Sequence, residues 1–291
     1  MVTNRKRYCS VVLCILLMVT SATASPEAPV DWRENMKNLQ YSPRYFGPNA
    51  FPIPELRNGS PCAQWEVELR GEYHLYGGDH TKDLFARVFA PIANGLAGLE
   101  VSVLYEYYNM TKETVEERHA AGPSWKNGAF GDVVVSSFVR FLKSDKWADV
   151  MAELSMKTAS GERLVDARFT DAVTYWFNIN AGRCVYKRPD DKINIRLHGL
   201  AGFYCWMTND MVHRQNDAFL YSVGLNGEIC DFTITADVAS FYGYENNGDR
   251  PLQLRTKINY EIEKNILSFG YKHGMRDSLY NVISLAYIRR F

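Results

Sequence analysis

After residue 24 the chain has no apolar run long enough to cross a bilayer as a helix. That excludes a helical membrane protein but leaves a β-barrel open, because barrel strands need only about 9–11 tilted residues each. Charge of one sign is also lacking. Lys and Arg number 33, Asp and Glu 33, and no basic block occurs, so nucleic acid is not expected as a partner. No glycine-rich phosphate loop and no C-x-x-C pair is present, which removes the common nucleotide, zinc and dithiol signatures. Cysteine is sparse. Beyond the first 24 residues only Cys62, Cys184, Cys205 and Cys230 occur, and both a Cys205–Cys230 bridge and free thiols fit them. Proline is scarce after residue 62 but dense before it, with Pro26, Pro29, Pro43, Pro48, Pro52, Pro54 and Pro61 between residues 25 and 62.

What is present begins with an export leader. Arg5, Lys6 and Arg7 precede an apolar run from Val11 to Val19, and Ala22-Thr23-Ala24 supplies a small-x-small cleavage site. Residues 1–24 therefore read as a signal peptide cut near Ala24, and its removal leaves three more acidic than basic residues. Residues 25–62 show no sustained period, and proline removes ladder donors, so this stretch is not expected in a sheet wall. An arm extending away from the wall is the favoured reading. A plug anchored by Tyr41, Tyr45, Phe46 and Phe51 is the alternative.

From residue 64 onward the period is two. Twelve segments alternate, near 64–76, 84–91, 99–109, 131–142, 149–158, 173–186, 192–206, 217–226, 231–243, 252–262, 265–273 and 280–291. One face carries Trp65, Tyr105, Tyr107, Tyr175, Phe177, Phe203, Phe219, Tyr221, Phe269, Tyr271 and Tyr287, and the other carries charges of both signs. Connections alternate longer (110–130, 159–172, 207–216, 244–251) and shorter (143–148, 187–191, 263–264). An even-stranded barrel sorts its loops by parity in this way, and a soluble sandwich has no reason to. The fold class expected is therefore all-β, a closed antiparallel transmembrane β-barrel of about 12 strands with up-and-down topology, spanning 63–291. With the apolar face in lipid, the lumen candidates are Glu66, Glu68, Arg70, Glu72, His74, Glu153, Lys157, Arg196, His198, Arg255, Lys257 and Glu261. So many long charged residues inside a barrel of intermediate size imply a constricted lumen.

The last strand alternates through Ile283, Leu285 and Tyr287 and ends at Phe291, as the strands of Gram-negative outer-membrane barrels do. That resemblance implies the bacterial outer membrane as location, its lipid as a partner, and the barrel-assembly machinery as a partner reading the strand that ends at Phe291. Further short motifs, Gly131-Asp132, Lys157-Thr158-Ala159-Ser160-Gly161, Ala167-Arg168 with Asp171-Ala172, Gln215-Asn216-Asp217-Ala218 and Gly248-Asp249-Arg250-Pro251, narrow it. They resemble the outer-membrane transporters named for the meta-cleavage pathway of phenol degradation, and a related group of uncharacterised barrels. Ala159-Ser160 departs from the transporter pattern, where Pro-Thr would be closer. The resemblance implies a channel or diffusion transporter for small, apolar or aromatic molecules. A non-transporting surface or structural barrel, and a barrel lipid hydrolase, are the alternatives.

Catalytic chemistry has little support. His74, His198 and His273 are read as inward, with Ser268 and Ser278 near His273 in sequence, but no local His-Ser pattern occurs, and no enzyme activity is expected. Asp79, Arg168, Asp171, Asp217 and Asp249 are outer-loop candidates. Loop carboxylates such as Asp79 could hold Ca²⁺, but glycine-aspartate pairs are ordinary turn formers, so no metal and no cofactor is expected.

Overall fold

The computed structural model describes residues 37–122, 125–144, 146–189 and 193–291. The expected leader and its cleavage site lie outside the described residues. Among the described residues thirteen strands follow one another: β1 (Glu66–Tyr76), β2 (Asp79–Ile92), β3 (Ala97–Met110), β4 (Lys126–Phe130), β5 (Val134–Leu142), β6 (Asp149–Lys157), β7 (Thr174–Lys187), β8 (Ile193–Met207), β9 (Gln215–Ile229), β10 (Phe232–Gly243), β11 (Leu252–Ile262), β12 (Asn265–Arg276) and β13 (Asn281–Arg290). One short helix, α1 (Lys112–Glu117), precedes β4, and a 3-10 turn spans Leu164–Asp166.

Twelve of the strands close into one antiparallel ring. Each pairs with its neighbour in sequence, β3 pairs with β5 through residues 97–102, and β13 returns to β1 with Glu66 opposite Arg290 and Leu75 opposite Asn281. Closure leaves no open edge to template another chain, which is why a β wall of this length can stand alone. The twelve alternating segments correspond to these twelve wall strands. The extra strand, β4, lies beside residues 105–109 of β3, within a stretch expected to be loop. Alternation sets the faces: Leu69, Leu84, Phe177, Phe219, Phe269 and Leu285 are exposed outward, while Glu68, Glu106, Asn178, Leu220 and Ser284 are buried inward.

The two ends of the barrel differ. Connections 111–133, 158–173, 208–214, 244–251 and 277–280 lie at one end, the loop end, together with the tight 77–78 hairpin. Connections 93–96, 143–148, 188–192, 230–231 and 263–264 lie at the other, the turn end. All four described cysteines are free, and Cys205, late in β8, and Cys230, in a turn-end hairpin, sit toward opposite ends.

The favoured expectation of an arm outside the wall is corrected for residues 39–60, which thread the barrel interior. At the loop end Asn209 Nδ2 donates to the Leu39 carbonyl at 3.1 Å, Ser42 Oγ to Asn247 O at 3.0 Å, and Arg44 N to Gly248 O at 3.2 Å. At the turn end Asn180 Oδ1 accepts from Arg57 N at 3.0 Å, and Arg140 Nη1 donates to Ser60 Oγ at 3.1 Å. The segment needs no ladder of its own. Side chains of the wall satisfy its backbone instead: Trp206 Nε1 donates to Tyr41 O at 2.7 Å, and Arg255 Nη1 to the Ile53 and Pro54 carbonyls at 3.2 and 3.0 Å. Proline, which lacks an N–H, suits such a thread.

Candidate functional site

The lumen has two unlike halves, and the internal segment touches both. On β7–β10 the inward face turns aromatic. Trp176, Tyr204, Trp206 and Phe241 are buried, with Tyr204 stacked on Phe241 at 4.4 Å and 8° and on Trp176 at 5.6 Å and 10°. Tyr41, Phe46 and Phe51 of the segment join them edge-on, Phe51 lying 5.5 Å from Trp206 between ring centroids. This is the barrel's main hydrophobic cluster, and it is built around the segment.

On β1–β3 the inward face is ionic. Arg87 donates from Nε to Glu68 at 2.7 Å, from Nη1 to Glu100 at 2.8 Å and from Nη2 to Glu66 at 3.1 Å. Arg57 of the segment makes two bonds to Glu100, 2.8 and 2.9 Å, with its guanidinium 4.3 Å over the Phe138 ring. Arg70 bridges Glu68 and Glu55 at 3.0 Å each, and Asn49 Nδ2 donates to Asp83 at 2.9 Å and Glu106 at 2.8 Å. Arg255 binds Asp237 at 2.5 and 3.0 Å, and Arg196 binds Asp149 at 2.7 Å.

Near the turn end the fit is close enough to require glycine on both sides. Gly59 has φ +72°, and a Cβ there would overlap the Asp149 carbonyl, while a Cβ at Gly182 would overlap the Asn58 backbone. At the loop end, connection 158–173 folds inward. Arg168 is fully buried, with Asp79 Oδ2 at 2.5 Å, Glu106 Oε1 at 2.6 Å and Thr81 Oγ1 at 2.8 Å, and its guanidinium 4.5 Å over Tyr108. Arg118, just after α1, donates to Asp79 at 2.8 Å and to Tyr280 Oη at 2.6 Å, and Tyr280 donates to Asp79 at 2.6 Å. Burial pulls the Arg168 pKa down, but Asp79 and Glu106 outweigh it and the net shift is upward. Burial also lowers that of Arg118, and Tyr280 and Asp79 reverse it. Burial is the main cause of the raised Tyr280 pKa. Both arginines stay charged and hold two loops across the mouth.

Beside the segment a cavity of about 410 Å³ remains, lined from β1–β3 as well as from β9–β13. Its lining is mixed: Gln253, Asn259, Ser268, Lys257 and Lys272 face it from β11 and β12, and Asn226 and Thr235 from β9 and β10, while Phe51, Ile53, Leu56, Phe85 and Val282 supply apolar surface. The buried side-chain oxygens of Asn226 and Asn259 have no hydrogen-bond partner.

All twelve lumen candidates stand at inward positions of their strands. The structure brings Glu66, Glu68, Arg70, Glu72 and His74 into one ionic patch. Lys157 is apart from it, bonded to Asp132 at 2.6 Å, and Glu261 is at the turn end with Arg290 at 2.7 Å. The outer-loop candidates divide. Asp171 is exposed and Asp249 is buried, accepting from Asn216 Nδ2 at 2.9 Å. One is corrected: Asp79 opens β2, because that strand extends beyond its clean alternation, while Asp217 lies in β9 beside the 208–214 loop. Arg168 is in a loop but wholly inside the mouth. His273 is corrected as well, since Lys272 takes the inward position and His273 faces out, 2.7 Å from Asn281 Oδ1. Among the described residues no histidine is hydrogen-bonded to a serine.

Asn49, Arg57, Asp83, Arg87 and Arg118 were not anticipated. Asp83 and Arg87 were within reach: carrying the β2 alternation back from Phe89 through Phe85 would have included both.

No family model matches the chain, and no curated protein matches it. Among solved structures, an outer-membrane channel from Pseudomonas putida F1 superposes with a TM-score of 0.56 at 11% identity, covering 79% of this chain and 96% of that one. The KdgM porin superposes at 0.48 and 12% identity, over 77% and 99%. The first shows that the fold is shared with an outer-membrane channel barrel.

Proposed function

We propose that this chain is an outer-membrane barrel that passes small polar solutes through a lumen restricted by its own residues 39–60. Support for the membrane comes from the exterior. Large apolar side chains are exposed outward on strand after strand, whereas Arg70, Arg87, Arg196, Arg255 and Lys257 point inward, where they avoid the roughly 2–4 kcal/mol each would cost against mid-bilayer hydrocarbon. The outward Lys82 and Arg183 lie toward strand ends. The long loops would then face outside and the short turns the periplasm.

The single observation that carries the transport reading is the cavity of about 410 Å³ beside the segment, where Ser, Thr, Asn, Gln and Lys side chains share the lining with apolar ones. Such a lining suits hydroxylated or zwitterionic solutes, which departs from the apolar class that the sequence resemblance implied. Swelling of proteoliposomes in sugars, amino acids and apolar solutes tests it. Swelling that ranks polar solutes first is expected, and a barrel inert to all of them would refute it.

A second reading is favoured by the mouth. Arg118 and Arg168, both bound to Asp79, tie the two loops to the wall at the loop end. On this reading the barrel presents connections 111–133 and 158–173 as a surface for a partner. Trimming those loops with protease should then abolish partner binding and leave solute flux unchanged.

A further inference from the structure

We infer that Glu72, His74 and Asp83 form a binding site for one divalent transition-metal ion of the Zn²⁺ type in the lumen wall. Glu72 on β1 and Asp83 on β2 are direct cross-strand partners, and both point inward. Two carboxylates so placed repel unless a cation stands between them. His74 is two residues along on the same face. Its Nε2 lies 2.7 Å from Asp83 Oδ2 and 3.9 Å from Glu72 Oε2, and one donor atom from each of the three residues falls within 4.8 Å of the others.

The neighbours show why this site differs from the rest of the ionic wall. Glu66, Glu68, Glu100, Glu106, Asp79 and Asp237 each meet an arginine. Asp83 is equally buried and meets none; its side-chain partners are the His74 ring and the Asn49 amide. Its second oxygen, Oδ1, is buried without any hydrogen-bond partner. Glu72 does have cations, Lys272 at 2.9 Å and Arg70 at 3.5 Å, but both sit on Oε1, which leaves Oε2 turned to His74.

One imidazole nitrogen and two carboxylate oxygens are a donor set that Zn²⁺ accepts. Metal–ligand bonds of about 2.0–2.2 Å put the ligand atoms about 3.4 Å apart in a tetrahedron. Reaching that spacing means opening the 2.7 Å contact and shortening the 3.9 Å one, each by well under one ångström. It also means setting the Glu72 and Asp83 oxygens, which lie within 4.8 Å of each other, at the same separation. His74 would coordinate through Nε2 and keep its proton on Nδ1. Glu72 and His74 also line the cavity, so water can fill the fourth position. The site does not depend on whether the barrel conducts.

The test is calorimetric titration of the purified full-length barrel, stripped with chelator, with ZnCl₂ in detergent. One ion per barrel is expected, with affinity falling at least tenfold in His74→Ala and in Asp83→Asn and unchanged in His273→Ala, an exposed histidine elsewhere on the wall. Equal binding by His74→Ala and the parent would overturn the assignment, as would no saturable binding by the parent. Heat-dependent gel mobility reports whether each variant is folded. Zinc-edge absorption on the unmutated protein decides independently of any variant: one imidazole among oxygen ligands supports the site, and none refutes it.

Discussion

The two halves of the lumen hold the same segment by different physics. Against β7–β10, Phe46 and Phe51 are buried in an aromatic cluster, and burying such a side chain contributes about 1.5–3 kcal/mol without demanding exact geometry. Against β1–β3, Asn49 and Arg57 meet carboxylates in fixed directions, and desolvation offsets most of what those ion pairs gain. The aromatic half therefore anchors the segment, and the ionic half fixes its register. Weakening each half separately tells the two roles apart.

The largest effect is expected on the aromatic side. Phe51→Ala should cost about 3–5 kcal/mol, because the surrounding rings of Trp206 and Phe46 cannot close the gap. Protease cleavage within residues 39–60 and a lowered heat-modification temperature on gels are the readouts. Arg57→Ala should cost less, about 1.5–3 kcal/mol for a charged hydrogen bond, since Arg87 still neutralises Glu100. Its mark is a turn-end stretch that cleaves while residues 39–51 stay protected. Gly59→Ala forces a side chain into left-handed backbone, about 1–2 kcal/mol before any overlap with Asp149, and should loosen the same end. Lys257→Gln should change least, within about 1 kcal/mol, because the Lys257–Glu55 pair is 3.5 Å apart and half exposed. A Lys257→Gln effect as large as that of Phe51→Ala would invert the comparison.

The wall was legible because burial on one face repeats at every second residue through all twelve strands, as in β11, where Arg255 and Lys257 alternate with Leu254 and Ile258. The interior segment was not, since contacts to a curved wall impose no period on Tyr41, Phe46 and Phe51. Its dock nevertheless left a trace. Trp176, Tyr204, Trp206 and Phe241 occupy inward positions, and four large rings there have no role in an open aqueous lumen. The mouth was hidden for another reason: Arg118, Arg168 and Asp79 are far apart in sequence and meet only when two loops fold inward.

The most direct measurement places a photo-crosslinking phenylalanine analogue at position 51 of the folded, full-length barrel and maps the adduct by mass spectrometry. Adducts to the peptide carrying Trp206 of the wall, besides any to the neighbouring Phe46, are the predicted result. Adducts to lipid or detergent, or none within the chain, would contradict a barrel filled by its own N-terminal thread.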